Sequence, residues 1–259
     1  MNTTISTGLI AFAVIFGGGM LGFLIGPALP EPQRGTPTER TVQNAMRTLS
    51  LLSALVLGLL VATAKNKYDT NTNQVEHFAA SLMMLNDDLV GYGAGADDMR
   101  SVLRAYTAAR IAATWQLVGG PTSGPDSPSP LPFLESLQRK VAELTPATEF
   151  ARARAREAAQ IVDELVRARW LQAAQDTTQA PRVFVWVLMG WLSMVFIGFG
   201  MFAPRNPVTF AALLACAFSI ATALALIDDM DQPYKGIVIV SPLPMLKALD
   251  EMRAPPTKS

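Results

Sequence analysis

The chain has 259 residues, half of them apolar and only 16% charged, too few ionisable side chains to cover a soluble domain of this size. Lys plus Arg and Asp plus Glu both total 21, so there is no net charge to hold a polyanion, and no basic run with interleaved aromatics occurs; nucleic-acid binding is not expected. The single cysteine, Cys216, lies in an apolar run and cannot form an intramolecular disulfide, so a packing role is expected of it.

In chain order, Met1 to Thr7 carries no Lys or Arg, and the apolar run behind it is longer than the core of a signal peptide, which predicts a retained helix. Leu9 to Leu29 contains no charge, and at about 1.5 Å per residue it reaches ~30 Å, the thickness of a hydrocarbon core. Gly18, Gly22 and Gly26 recur at four-residue intervals. One face is thereby stripped of side chains, and another helix, of this chain or of a second copy, can approach closely.

The second apolar run, Leu49 to Ala64, is short. It crosses a bilayer if Met46-Arg47-Thr48 and Lys65 sit at the interfaces and Arg47 and Lys65 snorkel. Ser50, Ser53, Leu57, Leu60 or Val61, and Ala64 lie along one side, weakly polar at the ends and apolar between. Such a face either makes ordinary helix contacts or forms an apolar constriction that gates a pore by dewetting.

Residues 65–182 have nearly balanced charge and predict a helical, water-exposed segment. Val75 to Val90 and Asp97 to Leu117 have helical spacing, the second with a stripe of Met99, Val102, Leu103, Tyr106, Ile111 and Trp115 and with Asp97-Asp98 at its positive end. Pro and Gly between 119 and 132 predict an exposed loop. Helical patterning resumes from Phe133 to about Gln175, divided at Pro146, with a stripe of Ile161, Val162, Leu165, Val166 and Trp170. Arg152, Arg154 and Arg156 form either a solvated surface or an anion-attracting vestibule.

Val183 to Ala203 and Val208 to Ile227 are again free of charge, and Pro204-Arg205-Asn206-Pro207 between them allows only a tight turn. The reading is an all-α integral membrane protein with four transmembrane helices in two antiparallel pairs. The segments run 1–64, 65–182, 183–227 and 228–259. All Lys and Arg except Arg34, Arg40, Arg47 and Arg205 then share one side with both termini, which the positive-inside rule places in the cytoplasm.

Little catalytic chemistry is on offer. His77 and Cys216 are each alone of their kind, and HExxH, Walker A and nucleophile-elbow patterns are absent; no cofactor and no enzymatic activity are expected. After the fourth span, Asp228, Asp229 and Asp231 form either solvated interfacial charge, a latch, or a weak site for a hard cation, although their spacing is not that of an EF-hand.

Gly58-Leu59-Leu60, Tyr68-Asp69, Glu76, Leu103-Arg104-Ala105-Tyr106, and Asp231-Gln232-Pro233-Tyr234-Lys235-Gly236 with Val240-Ser241-Pro242 resemble the bacterial bestrophin-like domain family, over about Leu9 to Leu249. Gly91-Tyr92-Gly93-Ala94-Gly95 stands where that family carries a Leu-Pro step. The family is largely a domain of unknown function, distantly similar to bestrophins, which are pentameric anion channels with a pore-lining second helix and an acidic calcium clasp after the fourth. The resemblance implies a homo-oligomer in a bacterial inner membrane, in contact with lipid and passing small inorganic anions such as chloride. Ser50, Ser53, Leu57, Leu60 and Val61 are then the expected pore lining. The rival expectation is a non-conducting membrane anchor for an interaction domain.

Overall fold

The structure, a computed structural model, describes residues 2–28, 30, 36–115, 130–175, 183–234 and 236–254. Regular structure among them is helical: α1 (Asn2–Ile25), α2 (Thr36–Tyr92), α3 (Asp97–Trp115), α4 (Pro130–Ala142), α5 (Glu149–Gln175), α6 (Val183–Phe202), α7 (Pro207–Met230) and α8 (Leu243–Arg253). Single 3-10 turns at Gly26–Ala28 and Ala94–Ala96 follow α1 and precede α3. Four helices, α1, α2, α6 and α7, are long and apolar enough to cross a membrane.

The chain divides into two compact units, residues 1–68 with 180–239, and residues 69–179 with 240–259. The second expected span and the first expected aqueous helix are one element, since α2 continues without a break for 57 residues. Neither Gly nor Pro occurs between Gly58 and Gly91, so nothing interrupts the hydrogen-bond ladder at Lys65. The helix stops at Gly93, whose φ of +101° is in the left-handed region that favours glycine, and the Gly93 amide donates to the Val90 carbonyl.

In the first unit α1 packs against both α6 and α7. A Cβ on Gly18 would come within 2.5 Å of Ser193 Oγ, and one on Gly26 within 2.5 Å of the Met201 carbonyl oxygen. On Gly22 it would overlap the carbonyl of Ile197. The small-residue face therefore has α6 of the same chain as its partner, backbone against backbone. Ala11, Ile15, Leu188, Phe196, Ala221 and Leu224 fill the space among these three helices. The turn from α6 to α7 is closed by Asn206, whose Oδ1 accepts from the Thr209 amide at 2.7 Å. Arg205 donates to the Phe23 carbonyl at 2.9 Å, satisfying an acceptor at the C-terminal end of α1.

In the second unit Leu82, Leu85 and Leu89 of α2 are buried, as are Leu103 and Tyr106 of α3, Leu137 of α4 and Leu165 of α5. Pro146 falls in the break between α4 and α5, where helix is excluded. Three sequence expectations change. Trp170 does not join the α5 stripe but is 70% exposed. The expected loop at 119–132 lies outside the described residues as far as 129, while Pro130-Leu131-Pro132 opens α4, prolines being tolerated in a first turn. The expected C-terminal segment is shared between the units: from Val240 onward it belongs to the second, with Met245, Ala248 and Met252 of α8 buried, the Val240 carbonyl accepting from Trp115 Nε1 at 2.7 Å, and the Met252 carbonyl from Arg104 at 3.3 Å.

Candidate functional site

Across its membrane segment α2 has two unlike faces. Met46, Ser53 and Ala64 are buried, and Leu57 and Leu60 pack against the core formed by α1, α6 and α7. On the opposite face Leu51, Leu55 and Leu59, spaced four residues apart, are 73%, 71% and 67% exposed. Residues at that interval share a helix face. Gly58, between them and beside this ridge, has nothing within 4 Å of where a Cβ would stand. Of the four candidate spans α2 is the least buried.

Within a single chain the expected pore-lining residues fall on two faces. Ser50, Ser53, Leu57 and Leu60 turn toward the chain's own helices, with Ser50, Ser53 and Leu57 lining a cavity against α6 and α7; Val61 lies at the edge and is exposed. Reading apolar periodicity finds a stripe but does not say which stripe its own chain covers. The leucine ridge at 51, 55 and 59 was a second stripe of equal regularity. Cys216 likewise is not packed away: it is exposed and lines the same cavity.

At the far end of α7 the three aspartates do not converge. Asp228 Oδ2 accepts from Thr7 Oγ1 at 3.0 Å, and Asp231 Oδ1 pairs with Lys67 Nζ at 2.5 Å. Asp229, only 1% exposed, accepts from Thr4 Oγ1 at 2.7 Å, from the Ile237 amide at 2.9 and 3.1 Å, and from the Val238 amide at 2.7 Å. A carboxylate with this many donors can remain buried and charged. The arrangement is a latch joining the start of α1, the end of α7 and the segment after it. No cluster of three or more metal-ligating side chains occurs among the described residues.

The latch explains the spacing of the motif that follows. Gly236 has φ +134°, and a Cβ there would overlap Asp229 Oδ1. Any other residue would strain the backbone and displace the carboxylate. Pro233 and Tyr234 occupy the half-buried turn before it, and Tyr68 donates to the Ile239 carbonyl at 3.3 Å. Thr4 and Thr7 were missed because an uncharged N-terminus offers no sequence signal; their role depends on residues more than two hundred positions away.

The other motif residues lie in the second unit. Asp69 and Glu76 are on exposed faces of α2, as is His77. Arg104 holds the α8 carbonyl already described. Tyr106 is fully buried with no hydrogen-bond partner for its hydroxyl among the described residues, and burial pushes its ionisation above the ordinary tyrosine range, against the pull of Arg110 and Arg169. Arg152 pairs with Glu149 at 2.6 Å, while Arg154 reaches Asp88 at 2.8 Å and Glu157 at 3.2 Å.

A sequence profile described as the bestrophin-like domain matches residues 13–245. Among solved structures, the chain is similar to a bacterial bestrophin homologue from Klebsiella pneumoniae, determined with a mutation, at 13% identity and a TM-score of 0.48, covering 94% of this chain and 95% of that one. No curated protein matches.

Proposed function

This chain belongs to the bestrophin-like domain family, and we propose that it assembles around a symmetry axis as a channel for small anions, with α2 as the pore-lining helix. The observation that carries this reading is the exposed ridge of Leu51, Leu55 and Leu59 on the least buried of the four spans. Several copies of such a ridge around an axis make an apolar neck, which passes ions when it is wetted and blocks them when it is dry. The small Gly58 and Ala62 on the same face leave room for the neck to widen.

In this reading the spans form two antiparallel pairs in a bacterial inner membrane, with the termini and the helical insert in the cytoplasm, where the larger set of Lys and Arg residues places them. The Ser50 and Ser53 hydroxyls are not part of the conduction path. Anion passage through this pore calls for no catalytic residue and no cofactor.

The test is the mass of the purified full chain in detergent. A pore bounded by one helix per chain needs a closed ring, so a mass of about five chains, the number the bestrophin resemblance implies, supports the reading. A monomer contradicts it and favours a membrane-anchored interaction protein.

A further inference from the structure

Between α2, α6 and α7 lies a cavity of about 530 Å³, within the roughly 300–1,000 Å³ typical of small-molecule sites. Its walls are almost entirely apolar, with Leu57, Leu192, Phe196, Phe199, Leu213 and Ile220 prominent. Ser50, Ser53, Thr209 and Cys216 interrupt that lining, and the Thr209 hydroxyl is taken up by Asn206 Oδ1 at 2.8 Å. Ser50 Oγ and Ser53 Oγ are buried without a hydrogen-bond partner among the described residues, and the whole Ser53 residue is 1% exposed.

Other hydroxyls in the spans behave differently. Thr63, Ser219 and Thr222 each donate to the carbonyl four residues earlier, and Ser193 donates to the Val14 carbonyl. This is the usual way a hydroxyl is satisfied in an apolar medium. Ser50 and Ser53 alone of these line the cavity, and an unpaired hydroxyl there is costly.

Their position along the membrane is also specific. Ser50 is the second residue of the apolar run beginning at Leu49, and the cavity wall at that level includes Ala203 and Thr209, on either side of the turn from α6 to α7. Ser50 and Ser53 therefore stand toward the turn end of the cavity, and Leu57, Leu192 and Ile220 lie further along the helices from it. An anion would be desolvated in such a lining with no cation beside it. A chain with an acceptor at its head and hydrocarbon below fits both halves.

We propose that this cavity holds one acyl chain of a membrane phospholipid, inserted tail-first, with its ester carbonyl accepting hydrogen bonds from Ser50 and Ser53. The site is separate from the outward leucine ridge, so it does not depend on the pore reading.

The test uses the full chain reconstituted in phosphatidylcholine vesicles containing a phosphatidylcholine with a diazirine in one acyl chain. After photolysis, peptide mapping locates the adducts. The expected result is enrichment on cavity residues such as Leu57 and Ile220 over the exposed Leu9 of α1. Ala212→Trp, which fills the cavity, should abolish that enrichment, and Ser50→Ala with Ser53→Ala should lower it by about tenfold, the effect of losing two hydrogen bonds. Circular dichroism confirms that each variant is folded. Cavity adducts no more abundant than those on Leu9, or adducts unchanged by Ala212→Trp, would overturn the proposal. So would labelling by a diazirine fatty acid but not by the phospholipid, which would identify a free acid as the occupant.

Discussion

Thr4 and Asp229 stand 225 residues apart in the chain and are joined by a 2.7 Å hydrogen bond, so the first turn of α1 and the last turn of α7 are held at the same end of the helical bundle. The carboxylate also collects the amides of Ile237 and Val238. Asp229→Ala should therefore leave three donors unsatisfied and cost about 3 kcal/mol or more. Thr4→Val should cost about 1 to 2 kcal/mol. Thermal unfolding of the purified protein in detergent reads both.

Gly236→Ala should be comparably damaging, because it places a methyl group against Asp229 Oδ1 at a φ of +134°, with backbone strain alone of about 1–3 kcal/mol. The two sites act on one contact. The double variant Asp229→Ala with Gly236→Ala should lose clearly less stability than the sum of the singles; strict additivity in the unfolding data would show that the glycine serves something other than the latch.

On α1 the glycines divide sharply. Gly22→Ala forces α1 away from the Ile197 carbonyl and should lower stability, whereas Gly17→Ala meets nothing within 4 Å and should be neutral or gain up to about 1 kcal/mol from helix propensity. Paired melting curves decide this.

Tyr106→Phe removes a buried hydroxyl that has no partner among the described residues, so stability should be unchanged or raised by about 1 kcal/mol. The pH dependence follows from the same burial. Ionisation of Tyr106 is raised in the folded state, so its contribution to stability is complete below the unfolded value of about 10 and is lost as pH rises through the folded value. Alkaline unfolding of the wild type and Tyr106→Phe should diverge only above pH of about 10, with the variant the more resistant.

Much of the helical content was legible in the sequence. Uncharged runs of membrane length marked α1, α6 and α7, and Pro146 marked the break between α4 and α5, because chain length, charge and proline act locally. The continuity of α2 through Lys65 was not legible, since a change of solvent preference looks like a boundary even where nothing breaks the helix. The serine-bearing face of α2 was recognisable as special, but its packing within the chain was not, since that depends on Leu192 and Phe196, more than a hundred positions away. The aspartate cluster was equally visible, but its meaning as a latch depended on two backbone amides and a threonine, which carry no distinguishing sequence pattern.

Chloride efflux from vesicles reconstituted with the purified full chain tests the central claim most directly, comparing wild type with the triple variant Leu51→Ala, Leu55→Ala, Leu59→Ala and with Leu9→Ala, an exposed position on α1. The channel account predicts efflux from the wild type, a severalfold increase in the triple variant as the apolar neck widens, and no change with Leu9→Ala. No efflux from any of the three, or equal efflux from wild type and triple variant, would contradict a pore lined by this face of α2.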